Sequence, residues 1–570
     1  MSTVRQKVQG PTQDRIAVEH QWGTRGRGHV IFRNAVDPES ARFFRERGWW
    51  GDVTLADHVQ RHADTHPDKI AYWADQGSLS WLQLEQTSNR IASVLADTHL
   101  EDGSRVAVYY PDTATIHAIF LGLEKAGLVT VGIGSRAGLR EIAHILNVTG
   151  ADTLITPLGE FRGRTADQLV AELKAFDIEL KRVILVDALE RDPFAPILVN
   201  DHPEEGSVDF SPTGSIRPDD LFLINSTSGT TSLPKCVLHT QNRWIYFHQL
   251  AERNGDLTPD DVFFGAIPAP FGFGLWTTHF SPIILGSSTL VSERFNSTEA
   301  IRQIINKKIS VLCCVSTQFL MLLNDPLFET SDLSSLRVMF TGGEAVPASR
   351  AKDFETRSGC KVLQFYGSNE TGVLSGTKLT DTDEVRFETA GYVEPDMHVR
   401  LYDEAGTTLV TGSGRPACKG PATCIGYLDI EANSQLFTDD GWMLMGDICS
   451  IDESGLLRVT GRTSDIIIRG GKNISAPQVE DEVSSHPAIA LAAAVAKPDE
   501  VFGERVFVFV ELVAGSAPIT LDQLKEFLRG RGVSVELIPE GMEIVDELPR
   551  SSGGKLAKGT LRERVRSAGS

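Results

Sequence analysis

Between residues 105 and 366, short apolar runs alternate with segments of helical spacing, and this alternation limits the chain more than any other feature. RVAVYY at 105–110 is too short for a helix and apolar enough to be a strand buried on both faces. TATIHAIFLGLEKAG at 113–127 carries apolar residues at helical spacing and stops at Gly127, a C-cap residue. LVTVGIG, GLREIAHIL, ADTLITP and RVILVDA continue the series. After a Pro-, Asp- and Glu-rich connection at 189–220, a second series runs through LFLINST, VFFGAIPA, SVLCCVST, LRVMFTGG and KVLQFYGS. Such alternation predicts parallel sheets covered by helices on both faces.

The flanks read differently. Residues 1–40 are rich in Gly, Arg and Gln, show no clear period, and are expected to form a loosely held arm. From about 386 to 460, runs such as HVRLYD and LLRVTGR are punctuated by Gly and Asp, which predicts a smaller, mostly antiparallel subdomain. Beyond Gly461 the pattern becomes α+β for about a hundred residues, implying a small C-terminal domain.

At 570 residues the chain is long enough for three to five domains or subdomains of about 100–200 residues each and a deep ligand site. Its formal charge of −21 argues against nucleic acid or an anionic membrane surface as partner. A local cationic site for a small anion stays compatible with that balance. Seven cysteines without a Cys-x-x-Cys pair, a polar start and no apolar run of 18 residues predict a reducing, cytoplasmic setting without a membrane span.

The chemistry concentrates after the strand LFLINST. Ile224-Asn-Ser-Thr-Ser-Gly-Thr-Thr-Ser-Leu-Pro-Lys235 ends a buried strand in small and hydroxylated residues and closes on a lysine. Small residues let backbone N–H groups approach phosphate oxygens, hydroxyls add donors, and lysine adds a point charge. The spacing is not that of the Walker loop.

This segment resembles the signature loop of the adenylate-forming enzymes: acyl-CoA synthetases, aryl-acid adenylating enzymes, luciferases and adenylation domains of peptide synthetases. Further segments follow in that family's order: Gln364–Glu370, Gly441–Asp447, Gly461–Asp465 with Arg469–Glu480, and Pro549–Lys555. The resemblance runs from about residue 45 to the end. It implies an α/β fold with a large N-terminal domain at 41–463, built of two α/β subdomains and a small β-barrel-like one. A mobile α+β C-terminal domain at 464–570 would follow the arm at 1–40.

The resemblance also implies roles. Thr227, Ser228, Gly229, Thr230, Thr231 and Lys235 would wrap the ATP phosphates. Glu370, with Thr230, would hold Mg²⁺. Tyr366 beside Gly367 would stack on adenine, with Gly342, Gly343 and Glu344 running past it. Asp447 would accept the ribose hydroxyls and Arg462 would donate to ribose or phosphate. Lys555 would bridge carboxylate and α-phosphate in the first half-reaction. Rotation about a hinge at Ser464, where Asp or Lys is common, would then bring Arg469, Gly470 and Gly471 to line a passage for the coenzyme A thiol. A lone His239 is as compatible with structure as with function and takes no role, and Cys313 and Cys314 are expected to be small core residues.

Phe271, Gly272, Phe273 and Gly274 fall on the acyl-pocket segment of the family. Gly272 stands where aryl-acid-activating members carry an Asn that reads a ring hydroxyl. With Phe271, Phe273 and Trp276 offering apolar surface and two glycines leaving room, the expected acid is apolar: medium-chain, alicyclic or ring-bearing. Asn369 and Met445 each replace a hydroxyl near the expected nucleotide, which would weaken nucleotide affinity. The resulting expectation is an AMP-forming acyl-CoA synthetase using ATP, Mg²⁺ and coenzyme A, monomeric or homodimeric. A free-standing enzyme that loads a carrier protein's phosphopantetheine is the alternative. A non-catalytic acyl- or nucleotide-binding protein is the minor one, disfavoured because Lys235, Glu370, Asp447, Arg462 and Lys555 are all present.

Overall fold

The computed structural model describes residues 36–211, 216–226, 234–343, 346, 348–403, 405–462, 465–469, 472–499, 501–550 and 556–567. Four sheets organise them. The apolar runs of the first series form the middle of a nine-stranded sheet, joined there by LFLINST, which the sequence assigns to the second: Leu223–Ser226, Val129–Ile133, Arg105–Tyr109, Thr153–Pro157 and Arg182–Val186 lie side by side and parallel. The second series forms another nine-stranded sheet, with Lys361–Ser368, Val338–Gly342, Val311–Cys313, Val262–Gly265 and Ser288–Val291 parallel and in that order.

Both sheets depart from the all-parallel expectation at their edges, where antiparallel strands close them. The connection at 189–220 contributes one such edge. Ile197–Val199 and His202–Glu204 form a hairpin whose turn residues, Asn200 and Asp201, take φ of 47° and 67°. That is the left-handed geometry a two-residue hairpin turn needs, and Asn and Asp tolerate it. The supposed arm also gains order before its end: a helix spans Pro38–Glu46, with Asp37 accepting from the Ser40 N–H at 2.8 Å. Residues 1–35 lie outside the described set.

A third sheet, all antiparallel, joins Thr408–Leu409, His398–Tyr402, Gly412–Lys419, Asp447–Ile451 and Leu457–Arg462, with Met443–Leu444 beside Gly412–Lys419. The fourth gathers strands between Ile466 and Ile544 under the helices Ala476–Ser484 and Leu521–Gly530.

The main core fills the space between the two large sheets. Its centre is Trp276, fully buried, stacked on Phe247 at 4.6 Å and meeting Phe340 and Phe365 edge-on. All seven cysteines are buried and none forms a disulfide, and burial pushes the Cys313 thiol well up. No helix among the described residues is long and apolar enough to cross a membrane.

Four imidazoles share this interior: His117, His239, His248 and His279. Burial holds each well below its usual 6.5, His248 and His279 at about 3. The unfolded chain protonates these groups near 6.5 and the folded one does not. Their contribution is therefore intact above about pH 6.5 and lost as pH falls from there toward 3, by up to about 1.4 kcal/mol per pH unit for each. Among the groups that burial shifts furthest, the carboxylates Asp112, Glu124 and Asp481 are held above their usual range and oppose this, but the imidazoles outnumber them. The expected thermal midpoint is nearly level between pH 7 and 8 and drops from pH 6 to 5. Equal midpoints at pH 7.5 and 5 would contradict this account.

Candidate functional site

Residues Thr227, Ser228, Gly229, Thr230 and Thr231 lie outside the described residues, but both ends of their loop are fixed. Leu223–Ser226 enters it and Cys236–His239 leaves it, paired antiparallel with Cys236 opposite Ser226. Lys235 stands at the exit, its ammonium 4.7 Å from the centroid of the Tyr427 ring. Tyr427 belongs to Gly426–Tyr427, which pairs with the exit strand, Tyr427 opposite Val237.

On its hydroxyl side, Tyr427 donates to the Glu370 carboxylate at 2.7 Å. Burial, and then the Glu370 charge, push the phenol well up, so it acts as a donor. The Glu370 carbonyl in turn accepts from the Cys424 N–H at 2.7 Å and from the Arg243 guanidinium at 3.1 Å. Arg243 is 1% exposed, and its other donors reach the carbonyls of Asn369 and Ala422 at 2.9 and 2.8 Å. A buried cation thus holds the turn that presents Glu370.

The donor set fits Mg²⁺. Among the described residues no group of three or more His, Cys, Asp and Glu surrounds a common point. Glu370 is a half-buried carboxylate at the mouth of the hydroxylated loop. A cation that keeps most of its water and shares the rest with phosphates needs one such ligand.

The nucleotide candidates gather at the carboxyl ends of parallel strands, where open α/β sheets bind ligands. Gly342 pairs with Phe365, and a Cβ on it would lie 2.3 Å from the Phe365 carbonyl oxygen. Gly343 follows with φ of 78°; Glu344 lies outside the described residues. Gly367 sits so close to the returning strand that a Cβ would lie 1.7 Å from the Gly372 carbonyl oxygen. Tyr366, next to Gly367 in the same strand, donates to Asp447 at 2.8 Å. Asp447 is opposite Arg462 on neighbouring strands. The residues expected at base and ribose therefore form one connected group. Met445, buried beside them, meets the Tyr366 hydroxyl through its sulfur at 3.5 Å.

The acyl-pocket segment divides. Phe271 packs toward the loop after Val129–Ile133: a Cβ on Gly134 would lie 2.5 Å from Phe271 Cζ. Phe273 is half-buried and edge-on to Trp276 at 5.4 Å. Trp276 itself is core, stacked between rings, and offers no open surface. Gly274 leaves no room either, because carbonyl oxygens of Ile267 and Pro268 lie 2.4 Å from where its Cβ would be. Gly272 faces Asn369 and Trp244, so Asn369 stands beside the acyl segment, whereas the sequence pointed to the nucleotide side.

In the C-terminal part, Arg469 pairs with Glu540 at 2.8 Å and lies 5.3 Å from the Phe502 ring centroid. Ser464, Gly470, Gly471 and Lys555 lie outside the described residues. Asp465, next to the expected hinge, pairs with Arg562 and, at 3.5 Å, with Lys558. Sequence reasoning missed Arg243 and Tyr427. Arg243 sits in the polar run HTQNRW at 239–244, the start of a helix, which reads as solvated, and Tyr427 in a two-residue strand too short to register.

With this geometry described, the chain can be set beside known proteins. The AMP-binding enzyme family model matches residues 59–428, and the AMP-binding enzyme C-terminal domain model matches 478–555. A medium-chain fatty-acid–CoA ligase of Escherichia coli (strain K12) is 30% identical, over 92% of this chain and 92% of that protein. A 2,3-dihydroxybenzoate-AMP ligase of Bacillus subtilis (strain 168) is 27% identical, over 92% of this chain and 96% of its own. Among solved structures, an anthranilate CoA ligase in complex with anthranoyl-AMP superposes with a TM-score of 0.81 at 21% identity, over 91% of this chain and 98% of that one.

Replacing Tyr427 by Phe keeps the ring near Lys235 and removes the donor to Glu370. Hydrogen bonds to a charged group are worth about 1.5–3 kcal/mol, so the Mg²⁺ dependence of ATP binding, read by calorimetry, is expected to weaken roughly tenfold or more. Unchanged affinity at every Mg²⁺ concentration would show that the bond does not orient Glu370.

Proposed function

The chain belongs to the AMP-binding, adenylate-forming enzyme family, and from that premise we propose that it is a cytoplasmic AMP-forming acid–thiol ligase that makes an acyl-CoA. The observation that carries this reading is the gathering of Lys235 and Glu370 on Tyr427, the ammonium over its ring and the carboxylate on its hydroxyl. A cation and a carboxylate held on one aromatic ring suit a polyphosphate with its counter-ion.

In the first half-reaction a carboxylate oxygen attacks the α-phosphorus of ATP, and the bond to pyrophosphate breaks. Lys235 and the loop N–H groups draw charge from the leaving pyrophosphate. Glu370 would hold Mg²⁺, which would supply charge neutralisation at the phosphates. Tyr366, Gly342, Gly343 and Glu344 bound the adenine, and Asp447 with Arg462 fixes the ribose. Lys555 bridges the attacking carboxylate and the α-phosphate, so most of the gain comes from positioning and charge neutralisation. In the second half-reaction the thiolate of coenzyme A attacks the acyl carbon, the bond to AMP breaks, and AMP leaves. Rotation about Ser464 withdraws Lys555 and brings Arg469, Gly470 and Gly471 to the thiol path. The acid has an apolar body, lying along Phe271 and Phe273.

A second reading keeps the first half-reaction and hands the acyl group to a carrier protein's phosphopantetheine. The relative that is a 2,3-dihydroxybenzoate-AMP ligase favours it, as does Enterobactin synthase component E of Escherichia coli (strain K12), 28% identical. Both readings use the same Arg469-Gly-Gly loop.

The test is pyrophosphate release with ATP and Mg²⁺ over a panel of carboxylic acids, with and without coenzyme A. Acid-dependent release that turns over only with coenzyme A is the expected result. In Lys555→Ala the adenylation rate is expected to fall by at least about a hundredfold, as for other transition-state charge stabilisers. Release that stops after about one turnover with free coenzyme A would favour the carrier protein. No release with any acid would overturn both readings.

A further inference from the structure

His239, without a role in the sequence, is the middle of a buried relay whose far end lies beside the acyl segment. The relay starts at Arg243, whose guanidinium can only donate. It faces His239 Nδ1, which must therefore accept. Burial and the Arg243 charge keep the imidazole neutral, so the ring hydrogen is on Nε2. From there it is donated to Asn225 Oδ1 at 2.7 Å.

This fixes Asn225 from one side, and the other side agrees. Its Nδ2 faces the Pro270 carbonyl at 2.9 Å, a group that only accepts. Asn225 then dictates the orientation of Asn369. Asn369 Nδ2 donates to Asn225 Oδ1 at 2.7 Å, and Asn369 Oδ1 accepts from Asn225 Nδ2 at 3.2 Å. Four side chains from three segments leave one arrangement of donors and acceptors. Asn225 and His239 are almost fully buried, while Asn369 is only half-buried.

Asn369 Oδ1 lies 2.8 Å from the point where a Cβ on Gly272 would be, and Trp244 Cη2 bounds the same space at 3.0 Å. The carboxamide thus takes up room that a side chain at 272 would need. In the sequence, Gly272 stands where an amide would read a ring hydroxyl, and its absence pointed to a purely apolar acid. The structure supplies an amide to that neighbourhood from a different segment. Among the described residues Asn225 is the one donor to Asn369 Oδ1, which leaves that oxygen of a half-buried residue a second lone pair.

We propose that Asn369 is a specificity-determining residue of the acid subsite, its Oδ1 accepting a hydrogen bond from a hydroxyl or amino group that the acid carries beside its carboxyl. This rests on the reading of the chain as an acid-activating ligase. The donor sits close to the carboxyl, at an ortho, α or β position, because Asn369 directly precedes Glu370 at the reacting end. The rest of the acid is apolar, as Phe271 and Phe273 require. An acid lacking the donor would strip water from Oδ1 without replacing it, and sites built to pair with a substrate hydroxyl discriminate strongly on that account.

The test uses the full chain with ATP, Mg²⁺ and matched acids: benzoate against 2-hydroxybenzoate and 2-aminobenzoate, hexanoate against 2-hydroxy- and 3-hydroxyhexanoate. Pyrophosphate release gives kcat/KM for each. The wild type is expected to prefer the donor-bearing member of at least one series by about tenfold or more, chiefly through KM. In Asn369→Leu that ratio falls to near one, whatever absolute rate remains. Asn369→Thr, smaller and still polar, guards against a Leu variant that does not fold and is expected to lower the ratio as well. Equal use of both members by the wild type, or a preference that survives both substitutions, overturns the proposal while leaving the ligase reading in place. No release with any acid, substituted or not, instead removes the ligase reading on which it rests.

Discussion

One buried cation holds the candidate site together. Arg243 projects from the first turn of the helix Gln241–Gly255, and its guanidinium reaches three carbonyls, those of Asn369, Glu370 and Ala422. Taking that charge out of water is expensive, and burial pulls Arg243 down to about 10. The carbonyls repay the cost only in one arrangement. The turn at 369–370 and the segment before Tyr427 are therefore placed relative to the loop that leads into the helix. The strand Cys236–His239, the Glu370 turn and the segment before Tyr427 share one anchor.

The sheets were legible because their centres are locally encoded. A strand buried on both faces must be continuously apolar, and Val129–Ile133 or Val338–Gly342 cannot be read otherwise. Edges are not encoded that way. Ile197–Val199 and His202–Glu204 are short and partly exposed, and only the Asn200-Asp201 turn betrays them. The helix at Pro38–Glu46 was hidden by polar neighbours although Asp37 and Pro38 mark its start.

Candidate site residues stand out in the sequence where chemistry forces a pattern: hydroxyls around a glycine, a carboxylate after Tyr-Gly, a Gly-Asp pair. Tyr366 and Asp447, 81 positions apart, were paired by role and meet at 2.8 Å. What sequence could not give is burial decided by distant partners. Trp276 looks like pocket lining until Phe247, Phe340 and Phe365 surround it. Gly274 looks like open space until the Ile267 and Pro268 carbonyls fill it. Arg243 looks solvated until carbonyls more than a hundred positions away enclose it.

The overlap between Asn369 and the absent side chain of residue 272 reaches beyond this chain's own chemistry. Two segments far apart in sequence compete for one small volume, and a large side chain from one excludes a large side chain from the other. Their substitutions cannot be independent, because the cost of either depends on which residue holds the other position. A pocket of this kind evolves through paired changes, with a permissive glycine required before the opposite wall can advance. A specificity code that assigns meaning to each lining position by itself will misread any lineage that has taken that path.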